Sequence, residues 1–257
     1  MLAPDILHLR EFYTTPFGEA VRAVIAGEIA RFWRSAEGDS VLGLGYATPY
    51  LSPFLEQKTA VFALMPAAQG AEYWPQNANN LVVLAHDSEM PFSENSINRA
   101  LLVHSVENSE HLSWMIEETW RVLTPSGKLL AIVPNRRGVW SRSQRSPFGY
   151  GRPFSMGQMR DLLAEQNFTI TRTSTALFLP PTYIKAFWKW ANKFEKFGRF
   201  FCQFFAVFWG GVLLVEAEKQ IYSTIPQPVV EARKYRGVLG VARPAMALRK
   251  LRKKPNL

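Results

Sequence analysis

The chain has 257 residues, with 30 basic and 21 acidic side chains and a single cysteine. That length fits one large domain or one domain with additions. An apolar share of 47% beside 20% charged residues is globular and excludes a chain disordered throughout, while one cysteine excludes a disulfide scaffold and a multi-cysteine zinc site and points to a reducing compartment.

The net charge of +9 is unevenly spread: residues 1–135 hold 8 basic against 15 acidic side chains, 136–199 hold 12 against 3, 200–230 hold 1 against 2, and 231–257 hold 9 against 1. An acidic front half is thus followed by a basic middle and a basic tail. The N-terminus has no apolar stretch of the kind a signal peptide needs, because Asp5, Arg10 and Glu11 interrupt it, so a cytoplasmic protein is expected. The longest uncharged run, Phe200 to Val215, is shorter than the roughly 18–20 residues that cross a bilayer. It reads as the end of an aromatic helix followed by a buried strand.

In chain order, residues 17–34 place Val21, Val24, Ile25, Ile29 and Phe32 at helical spacing, with Gly38 expected to close the helix. A buried strand over 40–45 runs into a glycine turn. Further apolar runs at 59–64, 81–85, 97–104 and 128–133 give four more strands, and residues 109–123 form the clearest intervening helix, with Leu112, Met115, Ile116 and Leu123 on one face. Strands alternating with helices imply α/β architecture, a mostly parallel sheet with helices on both faces. Residues 134–153 then form a loop rich in Arg, Ser, Gly and Pro. A helix over 155–166 is capped by Ser155, and strands follow at 168–173 and 211–217, separated by a 37-residue connection, 174–210.

Three motifs, in order, resemble those of class I S-adenosylmethionine-dependent methyltransferases, closest to the methyltransferase type 11 group. They are the glycine loop Val41-Leu42-Gly43-Leu44-Gly45-Tyr46-Ala47-Thr48, the segment His86-Asp87-Ser88-Glu89-Met90-Pro91-Phe92, and Arg121-Val122-Leu123-Thr124-Pro125-Ser126-Gly127-Lys128-Leu129. The resemblance implies a Rossmann-like seven-stranded sheet with its last strand antiparallel. It implies one domain over residues 1–221, with 174–210 as an aromatic and basic insertion, and a basic tail over 222–257. It also implies S-adenosylmethionine as cofactor and methyl transfer to an unidentified acceptor.

On that resemblance, the cofactor would lie against Gly43, Leu44, Gly45, Tyr46 and Ala47, at Met65 and Pro66, at Asp87, Ser88, Glu89 and Met90, and at His104. Glycine allows close backbone approach, and amides at a following helix N-terminus suit a carboxylate. Asp87 would accept the adenine amino group, with Met90 near the ring. His104 is a weak candidate for the catalytic base, against the alternative of a hydrogen-bonded structural histidine; with His111 it lacks the further ligands a metal needs. Ser126-Gly127 reads as a tight turn. The chain departs from the family in having Gly43 and Met65 where acids are usual, and Ala47 where glycine is usual. Met65 cannot accept the two ribose hydroxyls, and Gln69 is the nearby residue able to substitute.

The basic middle interleaves Arg136, Arg137, Arg142, Arg145 and Arg152 with Trp140, Phe148, Tyr150 and Phe154. A helix over 181–201 would carry Lys185, Lys189, Lys193, Lys196 and Arg199 as one stripe. It reads as a surface helix, as a lid over the site, or as an interfacial membrane element. The acceptor is expected to be anionic or aromatic, and the helix and tail to offer anionic lipid or RNA a basic surface. The alternative is a non-catalytic protein of this fold that binds a protein, RNA or membrane partner.

Overall fold

The computed structural model of the chain describes residues 4–178, 181 and 210–221. Its elements are α1 (Ile6–Thr14), α2 (Pro16–Phe32), β1 (Ser40–Gly45), α3 (Thr48–Leu55), β2 (Ala60–Pro66), β3 (Val82–Ala85), β4 (Ile97–Val103), α4 (Leu112–Val122), β5 (Leu123–Pro134), α5 (Met156–Glu165), β6 (Phe168–Ala176) and β7 (Val212–Lys219). The strands form a single sheet in the order β3-β2-β1-β4-β5-β7-β6. β1 to β5 pair in parallel, and β7 runs antiparallel between β5 and β6.

Alternation along the strands divides the core in two. Val41, Ala63, Met65, Leu101, Val103, Leu130 and Ile132 pack on one face beneath α1, α2 and α3. Leu42, Leu44, Leu102, Leu129, Ala131 and Val133 pack on the other against Met115, Ile116 and Val122 of α4 and Met159 and Leu163 of α5. Residues on a central parallel strand are buried both ways, so each strand reads as a nearly unbroken apolar run.

The helix starts follow local chemistry. Asp5 accepts the His8 amide at the head of α1. Thr15 accepts the Gly18 amide at the head of α2, with Pro16 at its first position. Ser155 and Gln158 form the reciprocal cap of α5, as the sequence indicates for Ser155. The end of α2 differs from expectation. The helix stops at Phe32, and Gly38 instead sits at φ +80° in the turn before β1. Ser126 (φ +58°) and Gly127 do make a tight turn, but inside β5, where the register against β4 slips between Ile97 and Arg99. β5 therefore begins at Leu123. α1 and α3 have no counterpart in the sequence reading. The 181–201 helix (Pro181 apart) and the 222–257 tail lie outside the described residues. Among those that are described, no helix is long and apolar enough to cross a membrane.

Gly45 joins the fold to the site. It sits at φ +80°, and a Cβ there would lie 2.4 Å from the Val103 carbonyl oxygen. Gly45→Ala combines left-handed strain with a backbone clash, and is expected to lower stability by about 2–4 kcal/mol in urea unfolding. A loss below roughly 0.5 kcal/mol, the usual scale for a surface change, would show that this junction carries no such constraint.

Candidate functional site

The carboxyl ends of β1, β2, β3 and β4 converge on one edge of the sheet, the edge at which open α/β sheets bind ligands. The Tyr46 amide donates to the Val103 carbonyl at 2.9 Å, tying the turn after β1 to the end of β4. β4 then stops, because His104 turns the chain at φ +53°. That conformation costs a non-glycine residue of the order of 1–3 kcal/mol unless its surroundings hold it. Two side-chain amides do so: Gln69 Nε2 donates to the His104 carbonyl at 2.6 Å and Asn108 Nδ2 at 3.1 Å.

The imidazole of His104 is fully buried. Its Nδ1 lies 3.1 Å from Glu107 Oε1 and its Nε2 2.9 Å from the Tyr13 hydroxyl. Tyr50 donates its hydroxyl hydrogen to Tyr13 at 3.0 Å. The chain of bonds is satisfied when Nδ1 carries the proton toward the carboxylate and Nε2 accepts from Tyr13. Phe148 covers the ring at 4.6 Å between centroids. Burial pushes the phenols of Tyr13 and Tyr50 above their ordinary range, Tyr13 further through the neighbouring Tyr50. Burial, then the Glu72 carboxylate, pushes up Tyr46.

Beside this network lies a cavity of about 190 Å³, lined by Pro66, Ala67, Ala68 and Gln69 after β2, His86 and Asp87 after β3, and Ser105, Asn108, Ser109, Glu110 and His111 between β4 and α4. Ser105 Oγ, Glu107 Oε2 and Asn108 Oδ1 are buried without a hydrogen-bond partner. Natural structures leave few such atoms, and two of these three residues line the same cavity. Across it, Asp87 Oδ2 accepts from Ser109 Oγ at 2.8 Å, and Oδ1 is 3.5 Å from His86 Nδ1. The walls are rich in acceptors and suit a ligand that carries several hydrogen-bond donors, such as hydroxyls and an exocyclic amine.

The sequence-predicted residues divide. Pro66 and Asp87 line the cavity, as does Gln69. Gly43 packs against α3: a Cβ there would meet Leu51 at 2.7 Å and Ala47 at 2.8 Å. An acid at that position would clash with the helix, so its absence has a packing cause. Leu44 is buried on the α4 face of the sheet. Tyr46 and Ala47 are buried on the α1 face, with the Tyr46 ring 5.7 Å from that of Tyr13. Met65 is buried in the same core, and its sulfur receives the Glu72 amide at 3.4 Å. Met90 is buried beside α4, its amide donating to Glu118. Ser88 Oγ pairs with His86 Nδ1 at 2.8 Å, and Glu89 is exposed. None of Met65, Ser88, Glu89 and Met90 lines the cavity.

His104 stands behind the wall rather than in it. Ser105 and Asn108 were missed by sequence reasoning, because only the turn at His104 brings them to the cavity. Among the described residues no group of three or more His, Cys, Asp or Glu side chains can hold a metal ion.

A family model described as a methyltransferase domain matches residues 40–131. No curated protein matches the chain in sequence. Among solved structures, an S-adenosylmethionine-dependent methyltransferase from Thermotoga maritima superposes with a TM-score of 0.61 at 14% identity, covering 82% of this chain and 94% of that one. One from Archaeoglobus fulgidus gives 0.56 at 14% identity, covering 83% and 98%. The cyclase SpnF gives 0.52 at 15% identity, covering 86% and 98%. These likenesses concern the fold. The Thermotoga and Archaeoglobus proteins are S-adenosylmethionine-dependent, which makes S-adenosylmethionine the group to test against this cavity. The donor set fits its nucleoside half, since Asp87, Ser105 and Asn108 offer acceptors. The glycine-loop amide of Tyr46, by contrast, is already committed to Val103.

The buried phenols generate a pH expectation. Their folded pKa values lie above the unfolded value near 10, so stability is fully present below about pH 10 and falls as pH rises beyond it. In an alkaline absorbance titration, Tyr13, Tyr46 and Tyr50 should ionise only as the chain unfolds, and each Tyr→Phe variant should remove amplitude from that step alone. Loss of amplitude from a reversible transition near pH 10 would contradict their burial.

Proposed function

We propose, from the class I S-adenosylmethionine-dependent methyltransferase fold and the methyltransferase domain match over residues 40–131, that the protein transfers a methyl group from S-adenosylmethionine to an acceptor. The observation that carries the reading is the cavity at the strand ends, lined by Asp87 after β3 and by Ser105 and Asn108 after β4, two residues that also hold buried oxygens without a hydrogen-bond partner.

Asp87 accepts the exocyclic amine of the base. Ser105 Oγ and Asn108 Oδ1, with the 66–69 segment, hold the ribose hydroxyls in place of the acid that Met65 does not supply. Gln69, which the sequence singles out as the substitute, contributes by position, since its amide is spent on the His104 carbonyl. When bound, the cofactor would supply an electrophilic methyl group on a sulfonium, with a neutral thioether as its leaving group. Alignment and exclusion of water can supply much of the rate of such a displacement. The part of the chain is therefore to hold and orient, and His104, with Nδ1 on Glu107 and Nε2 on Tyr13, fixes the strand end beside the cavity.

The second reading, a non-catalytic protein of this fold, draws on the committed Tyr46 amide and on the buried tyrosines packed beside the glycine loop. Calorimetric titration with S-adenosylhomocysteine separates the two. Binding in the micromolar range is expected, and Asp87→Ala should weaken it by about 1.5–3 kcal/mol, roughly 10–150-fold. No heat at millimolar ligand contradicts the methyltransferase reading, and binding unchanged by Asp87→Ala contradicts the assignment of the base.

A further inference from the structure

The loop between β5 and α5 gathers charge of one sign. Residues 135–155 contain five arginines and no acid, and Arg136, Arg137, Arg142, Arg145 and Arg152 are all exposed. The loop is nevertheless built as firmly as core. Trp140 and Phe148 are fully buried beneath it, and the Trp140 ring stacks on Phe17 of α2 with centroids 5.7 Å apart. Asn135 and Phe154 bridge its two ends. Gly151 packs on Glu107 and Asn108, and the Arg152 amide donates to the Glu107 carbonyl at 2.8 Å. The arginines are thus carried on a fixed ridge joined to the turn that lines the cavity.

We propose that this ridge is a docking surface for an anionic membrane. The observations favour a lipid surface over nucleic acid. A single-stranded nucleic acid binds through exposed aromatic platforms as well as charge, and the ridge spends Trp140 and Phe148 inside the protein. What it exposes between its arginines is Val139, at 52%, an apolar side chain suited to the headgroup boundary.

A second observation comes from what is rooted there. Residues 177 and 210–211 flank the 179–209 segment, and both adjoin the ridge. Gly211 donates to the Leu177 carbonyl, Asn135 Nδ2 donates to the Gly210 carbonyl at 2.8 Å, and Gly211 lies against Trp140. By sequence, residues 179–209 contain twelve aromatic side chains and five basic ones against one acid, a composition of the kind that partitions into membrane interfaces. Charge on the ridge and the aromatic composition of residues 179–209 therefore point to the same partner. The chemical consequence, which rests on the methyltransferase reading, is that the acceptor is an amphiphile presented at a membrane beside the cavity.

The test is flotation of the full chain with phosphatidylcholine vesicles, with and without phosphatidylserine, beside filter binding of a single-stranded RNA. Binding to the anionic vesicles only is expected. The triple variant Arg136→Glu, Arg142→Glu, Arg152→Glu should bind them at least about tenfold more weakly, since each basic residue near such a surface adds its own attraction to anionic headgroups. A control reversing the exposed Arg22, Arg34 and Arg160 should retain most of the binding, with circular dichroism showing both variants folded. Three outcomes overturn the proposal: no preference for anionic vesicles, equal losses in the two variants, or RNA bound more tightly than the vesicles. Calorimetry with S-adenosylhomocysteine on the same preparations reads the methyltransferase assignment independently, so the two ideas can fail separately.

Discussion

Much of the site hangs on one residue forced out of its natural backbone region. His104 ends the central strand in a left-handed turn, and its carbonyl is held by amides from two directions, Gln69 after β2 and Asn108 before α4. Its ring is held from two more, by Tyr13 of α1 and by Glu107. One constraint therefore fixes the end of β4, the segment after β2, the first helix and the turn into α4. The strain is tolerated because three of these four bonds are buried and the Asn108 bond is partly so, and losing a buried one would cost about 1–3 kcal/mol. The same turn delivers Ser105 and Asn108 to the cavity with oxygens left unpaired.

The sheet was legible in the sequence because a central parallel strand must be apolar along its whole length. The five parallel strands fall where the apolar runs lie, β6 falls at the strand read over 168–173, and the antiparallel β7 follows from the family resemblance. The helices missed have physical reasons. α3 contains Pro53 in its interior, a residue that normally argues against a helix. α1 carries Ile6, Leu9, Phe12 and Tyr13 at helical spacing, a signal the sequence holds but which a reading aimed at signal peptides passes over. α2 ends at Phe32 without a glycine stop, so the nearest glycine misled.

The candidate site was legible only in part. Asp87 and Pro66 follow from motif position. Met65 and Met90 do not reach the cavity, because motif position places a residue at a strand end or in a turn but does not say whether its side chain meets the cavity or the core. Gly43 illustrates the same limit: its missing acid looks like decay of a binding site, whereas a side chain there would have to displace Leu51 of α3 and Ala47 at its start. Ser105 and Asn108 carry no sequence signal, because their burial and lack of partners exist only once β4 has turned. Charge was read correctly as uneven. The structure adds that the loop carrying the arginines is anchored by buried Trp140 and Phe148 and bonded to the turn that lines the cavity, which a composition count cannot distinguish from a flexible basic linker.

The central claim is that the turn after β4 is a preformed nucleoside-binding wall with its hydrogen bonds unmet. Hydrogen–deuterium exchange of the full chain with and without S-adenosylhomocysteine tests it most directly. The account predicts that ligand slows exchange in the 66–69 and 104–111 segments, whose residues surround the cavity, while amides of the sheet interior, already paired, change little. Protection confined to other segments, or none at saturating ligand, would contradict it.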